Sequence, residues 1–190
     1  MCTYLIEVNH VSKSFNDLQV INDLSLNIEG GKVYLLLGEN GSGKSTFIKM
    51  LVDLYLPTSG IITRHYEDFR YVPELLTIKS EVKVLSYIKA VLSLRGLKRN
   101  LEMELNLEID LNKQLRHLSK GNLKKVLIYL ALVGTPEILF LDEPLDGLDI
   151  NMQNKVIDYF LQMPNSTFII STHDTKKYDA LMNIEVIHFG

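Results

Sequence analysis

The sequence predicts an α/β protein built on a mostly parallel sheet, and three observations predict it. Short apolar runs of the kind buried on both faces, at residues 33–37, 137–141 and 167–170, alternate with stretches of helical spacing. The first run leads through Gly38-Glu39-Asn40-Gly41-Ser42-Gly43-Lys44-Ser45-Thr46 into a helical stretch, the strand–GxxxxGK(S/T)–helix context of a phosphate-binding loop. The other two runs end in Asp142-Glu143 and, three residues on, His173, so residues able to do chemistry collect at strand ends.

In chain order, residues 4–8 and 20–28 read as strands, the second by alternation at Leu24, Leu26 and Ile28. Between them Lys13-Ser14-Phe15-Asn16-Asp17 reads as a connection, in which Phe15 is either core or a purine-stacking ring. Glu29-Gly30-Gly31-Lys32 is a turn into the strand before the phosphate loop. A helix over 46–54 follows, ended by Leu56-Pro57-Thr58-Ser59-Gly60, then short strands at 61–63 and 69–72. Apolar positions Val84, Leu85, Ile88, Val91 and Leu92 give helical spacing, and 101–107 is a weaker helix. Leu118-Ser119-Lys120-Gly121-Asn122 opens a strong helix over 123–133, stopped by Gly134-Thr135-Pro136. After the 137–141 strand come an amphipathic helix over 152–163, the 167–170 strand and a last strand at 184–189. No internal repeat, low-complexity tract or linker interrupts 1–190, which reads as a single domain with a core of ordinary size.

Composition narrows the function classes. Hydrophobic residues are 46% and charged residues 23%, ordinary for a globular chain, and a net charge of -3 argues against a nucleic-acid-binding face. One cysteine, Cys2, rules out an internal disulfide and suits a reducing compartment. Its position could suggest lipidation, but with no apolar signal region before it Cys2 reads as an ordinary thiol. No run approaches the ~20 apolar residues of a membrane span, so any membrane contact is expected through a partner.

The phosphate loop has a specific physics. Its glycines let successive N–H groups turn inward as an anion nest, and the following helix adds its positive end. Lys44 is expected to reach the β- and γ-phosphates, and the Ser45 hydroxyl to ligate Mg²⁺. Strand carboxyl ends in a parallel sheet share one edge, so Asp142 would hold Mg²⁺ through water there. Glu143 would position the attacking water as general base, and His173 would meet the γ-phosphate or that water. Without a triphosphate loop the acidic pair would read as a solvated strand end.

The order of these motifs resembles that of the ATP-binding subunits of ABC transporters, over nearly the whole chain: the loop at 38–46, Leu118–Asn122, Asp142-Glu143-Pro144, Leu148-Asp149 and His173. The resemblance is strongest to bacterial stand-alone subunits of exporter type. It implies a P-loop NTPase (RecA-like) core with a small antiparallel β region and a shortened helical sub-domain at about 75–120. It also implies a head-to-tail dimer with a second ATP-binding subunit, in which Ser119 and Gly121 bind the γ-phosphate held by the partner's loop. Phe15 then matches the adenine-stacking aromatic, Asp146 to Asp149 the loop through which the two sites communicate, and Glu74 the residue linking Mg²⁺ and water to a transmembrane permease. ATP with Mg²⁺, hydrolysis by Glu143, and a cytoplasmic place on the inner face of the membrane follow from the same likeness.

The sequence departs from the family pattern at Glu74, commonly glutamine, at Lys120 and Asn122 of the signature, and at Asp146, commonly a small hydroxyl residue. Against the family pattern the chain is short, and the resemblance implies deletions at 61–70, at 97–117 and after Gly190, the last expected to leave no C-terminal regulatory region. Two rival readings stand beside a transport motor: a non-transport ATPase of cofactor assembly, and a nucleotide-binding regulatory half of a heterodimer. Lys44, Asp142, Glu143 and His173 argue against the second.

Overall fold

In the computed structural model, described over residues 4–74 and 77–190, two sheets are present. Cys2 and the 75–76 part of the Glu74–Thr77 segment lie outside the described residues. Strands β1 (Tyr4–Phe15), β2 (Leu18–Glu29) and β4 (Ser59–Arg64) form an antiparallel sheet in the order β2-β1-β4. Strands β3 (Val33–Leu37), β5 (Phe69–Val72), β6 (Ile138–Asp142), β7 (Thr167–Thr172) and β8 (Ile184–His188) form a parallel sheet in the order β5-β6-β7-β3-β8. The helices are α1 (Lys44–Leu51), α2 (Val84–Leu94), α3 (Leu101–Asn106), α4 (Lys120–Leu132) and α5 (Ile150–Leu161).

Period-two alternation divides the parallel strands between two cores. Tyr34, Leu36, Ile138, Phe140 and Ile169 face a cluster shared with α1 and the antiparallel sheet. Val33, Leu35, Leu139, Leu141, Phe168 and Ile170 face the other, shared with α2, α3, α4 and α5. Burial on both faces explains why these strands read as unbroken apolar runs. The helical segment before α4 shares the second core with the sheet: Val84, Ile88, Leu92, Met103 and Leu107 all belong to it.

One boundary differs from expectation in a way that matters. Lys13 to Phe15 are not a connection but the end of β1, which pairs with β2 down to Phe15 opposite Leu18. The turn is only Asn16-Asp17, with Asn16 at φ 50°. Ser12, Lys13 and Ser14 are all half-buried at this irregular end of the hairpin, where no apolar alternation marks a strand, so hydrophobicity alone understates its length.

Candidate nucleotide site

The loop at 38–43 joins the end of β3 to the start of α1, at the carboxyl edge of the parallel sheet. Gly43 has φ 103°, and a Cβ there would meet the Val20 carbonyl oxygen at 3.0 Å, so no other residue fits without strain. Lys44 Nζ donates to the carbonyls of Gly38 at 2.6 Å and Glu39 at 2.9 Å, which holds the ammonium inside the loop. Ser42 Oγ is buried there without a hydrogen-bond partner, a polar atom that an anion in the loop could satisfy.

Across the sheet edge, β6 delivers Asp142 and Glu143. Ser45 Oγ donates to Asp142 Oδ1 at 2.9 Å, and Ser171 Oγ, from β7, donates to the same oxygen at 2.5 Å. Glu143 takes the left-handed conformation, φ 44°, unusual for a residue with a Cβ. Its N–H donates to Ser171 Oγ at 2.9 Å, and His173 Nδ1 stands 3.4 Å from its carboxylate. Burial pushes the Glu143 carboxyl up and the nearby Asp146 carboxylate adds to this, while His173 and Lys44 oppose both.

Phe15, Val20, the loop from Asn40 to Thr46, Glu74 and Glu143 line one cleft of about 430 Å³. Phe15 is 40% exposed, so it is a wall of this cleft and not a core residue. Its ring packs edge-on against Tyr55 at 5.5 Å, with Lys13 Nζ 4.9 Å from its centroid. An adjoining cleft is lined by Glu39, Asn40, Glu74, Glu143, Asp146 and His173. One aromatic wall, an anion nest and a row of oxygen ligands thus share one continuous opening.

A family model described as ABC transporter matches residues 21–146, well over half of the chain. This chain belongs to the ABC transporter family. It is an ATP-binding subunit, of the kind whose ATPase activity is coupled to transport. A zinc import ATP-binding protein, ZnuC of Yersinia enterocolitica, is 33% identical over 168 residues, covering 84% of this chain and 65% of its own length. An ABC transporter ATP-binding protein of Methanocaldococcus jannaschii, MJ1023, is 29% identical over 203 residues, covering 97% of this chain and 77% of the relative. A solved ATP-binding subunit of an ABC transporter superposes with a TM-score of 0.85 at 24% identity, over 97% of this chain and 86% of that one, a likeness of fold.

Ser119, Gly121 and Asp149 stand apart from the two clefts. Ser119 is the exposed N-cap of α4, accepting from the Asn122 N–H at 3.2 Å. A Cβ on Gly121 would come within 2.7 Å of the Gly147 carbonyl oxygen, so glycine lets α4 meet the Asp146–Asp149 loop closely. Asp149 caps α5, accepting from the Met152 N–H at 3.0 Å. Lys120 is exposed, and Asp146 pairs with Lys177 at 3.1 Å.

Two residues that the motifs did not single out prove central. Ser171 ties Asp142 to the Glu143 backbone, a role the polar end of a buried strand only hints at. Lys124 is 6% exposed, and its Nζ lies within hydrogen-bonding distance of the carbonyls of Pro73 at 3.1 Å, Glu74 at 2.9 Å, Asp142 at 3.4 Å and Glu143 at 3.3 Å. Burial pulls its ammonium pKa down, against the carboxylates of Asp142, Glu74, Asp146 and Glu143, which favour the charged form. Its signal was a lysine between Leu123 and Val126, on the apolar face of a helix.

Proposed function

We propose that the chain is the motor of a membrane transporter, working as a head-to-tail dimer that encloses ATP between two subunits. The observation that supports it most is the convergence of Ser45 on Asp142 and of His173 on Glu143 at the mouth of the phosphate loop. Phe15 stacks on the base, while the loop N–H groups and Lys44 hold the phosphates. The Ser45 hydroxyl, the Asp142 carboxylate and Glu74 are hard oxygen donors suited to Mg²⁺. When bound, Mg²⁺ supplies charge neutralisation of the phosphate oxygens. Glu143 accepts a proton from water as the water oxygen bonds the γ-phosphorus; the bond to the bridging oxygen breaks, leaving ADP and inorganic phosphate. His173 orients that carboxylate and contacts the γ-phosphate.

In the dimer, Ser119 and Gly121 at the start of α4 meet the γ-phosphate on the partner, where the helix end favours negative charge. The Asp146–Asp149 loop, with Asp149, links the two sites. The segment from Glu74 to Thr77 faces a transmembrane permease, which carries the subunit to the inner face of the membrane. Among the described residues no helix is long and apolar enough to cross a membrane, so a permease is the natural anchor. The helices from about 75 to 120 form the sub-domain that this docking uses.

The resemblance of the motifs to stand-alone subunits of exporter type supports an exporter. A second reading, import of a metal ion such as zinc, has its support in the names of the relatives. Affinity capture of the tagged subunit from detergent-solubilised native membranes tests the motor reading: a stoichiometric polytopic protein is expected. Recovery of soluble partners alone would instead favour a non-transport ATPase. Total cell zinc in a strain lacking the subunit then separates the directions, falling for zinc import and not for export.

A further inference from the structure

We propose that Lys124 is a positioning residue, which locks the Glu143 and Glu74 backbones to helix α4 and so ties hydrolysis in one site to the engagement of that helix by the partner's nucleotide. The inference rests on hydrolysis at Glu143. Its foundation is the peptide between Asp142 and Glu143, which is gripped from both sides. The N–H of that peptide donates to Ser171 Oγ at 2.9 Å, and its carbonyl lies 3.4 Å from Lys124 Nζ. The next carbonyl, of Glu143 itself, lies 3.3 Å from the same ammonium. Glu143 sits at φ 44°, a conformation that persists only where its surroundings over-determine it. Lys124 and Ser171 are those surroundings.

The same ammonium reaches the carbonyls of Pro73 and Glu74 at 3.1 and 2.9 Å. One charge on α4 therefore fastens both segments that carry carboxylates into the nucleotide cleft. Lys124 lies five residues beyond the Ser119 cap, about 7 Å along the helix axis. A shift of the helix start cannot leave Lys124 behind, because its side chain is buried and multiply bonded. Helix α4 also abuts Gly147 through Gly121, a further contact with the loop after β6. Among the described residues no carboxylate pairs directly with Lys124; its partners are backbone oxygens, whose positions it sets.

The test compares wild type, Lys124→Met and Lys124→Gln as full-length chains. ATPase rates are measured against ATP concentration, alongside thermal unfolding and amide hydrogen exchange. The expected order of kcat is wild type, then Lys124→Gln, then Lys124→Met at least tenfold down, with KM within twofold and the glutamine amide restoring part of the loss. In Lys124→Met, exchange in peptides from 66–74 and 142–149 should rise at least fivefold, with α1 and β7 unchanged. Equal kcat in all three proteins would overturn the proposal. So would a fall in kcat matched by a rise in KM and a general loss of protection, since that describes a packing defect. Where the isolated wild-type protein does not hydrolyse ATP, the exchange pattern decides: unchanged exchange in peptides from 66–74 and 142–149 of Lys124→Met overturns the proposal. Should Lys124→Met not fold, Lys124→Gln carries both measurements: a reduced kcat at unchanged KM is expected, and an unchanged kcat overturns the proposal.

Discussion

Ser45 Oγ and Asp142 Oδ1 stand 2.9 Å apart, although one lies in the first turn of α1 and the other ends β6, 97 positions later in the chain. The parallel register that sets β6 beside β7 and β7 beside β3 brings them together at one sheet edge. If this hydroxyl and carboxylate hold Mg²⁺, Asp142→Asn should raise the Mg²⁺ concentration for half-maximal ATPase activity at least tenfold. Ser45→Ala should shift it the same way, and the double variant should cost less than the two losses combined. A Mg²⁺ titration of activity in all four proteins is the measurement; an unshifted midpoint in Asp142→Asn removes Asp142 from the metal site.

Glu143 is buried, and its pKa lies above the usual carboxylate range for that reason first. Replacing it with glutamine keeps the volume and removes the proton acceptor. Glu143→Gln should therefore bind ATP as wild type does and lose at least a hundredfold in turnover. Size-exclusion chromatography with light scattering should find it as an ATP-dependent dimer, because the closed state is no longer emptied by hydrolysis. A variant that turned over at the wild-type rate would end the base assignment.

What the sequence made legible and what it hid divide along physical lines. The strands expected at 33–37, 137–141 and 167–170 were plain, since burial on both faces demands continuous apolar runs. The meeting of the phosphate loop, Asp142, Glu143 and His173 at one sheet edge was plain, because each follows an apolar run whose end a parallel sheet aligns with the others. The β1–β2 hairpin was under-read, since its end carries the half-buried polar residues Ser12, Lys13 and Ser14, with no apolar alternation to mark a strand. Lys124 was overlooked for a different reason. Lysine on a helix normally lies in solvent, and only the approach of four carbonyls from two distant loops makes this one a buried strut.

The shortened helical segment has its own anchor. Glu104 is 3% exposed, accepts from Arg99 Nε at 2.8 Å and from the Tyr129 hydroxyl at 2.8 Å, and so ties α3 to α4. Burial pushes its carboxyl up, but the bonds from Arg99 and Tyr129 outweigh this and leave its pKa lowered. A depressed folded-state pKa means stability that is present above the unfolded value, near 4.5, and lost as pH falls through the folded one. Glu104→Gln should cost about 2 kcal/mol at pH 7, below the ~3–5 kcal/mol of a fully buried pair because Arg99 is partly exposed. As pH falls from 4.5 through the lowered folded-state value, the two proteins should converge. Urea unfolding at pH 7 and along a descending pH series checks this; a difference that does not shrink as pH falls would show that shape, not charge, sets the cost.

Phe15 offers a ring face and no polar group, so its contact with a purine discriminates little between adenine and guanine. The ring is braced by Tyr55 edge-on at 5.5 Å and by Lys13, whose ammonium also donates to the Leu56 carbonyl at 2.7 Å. Such bracing limits the freedom the ring would lose on stacking. A stacked base is worth about 1–3 kcal/mol, so Phe15→Ala should weaken ATP and GTP binding alike by roughly tenfold or more. Phe15→Tyr should bind as wild type does, because the added hydroxyl leaves the face unchanged. Equilibrium titration with a fluorescent ATP analogue, competed by ATP and by GTP, measures both. If Phe15→Ala bound both nucleotides normally, Phe15 would be only a wall of the cleft; a loss confined to ATP would mean that it reads the base and does not merely stack on it.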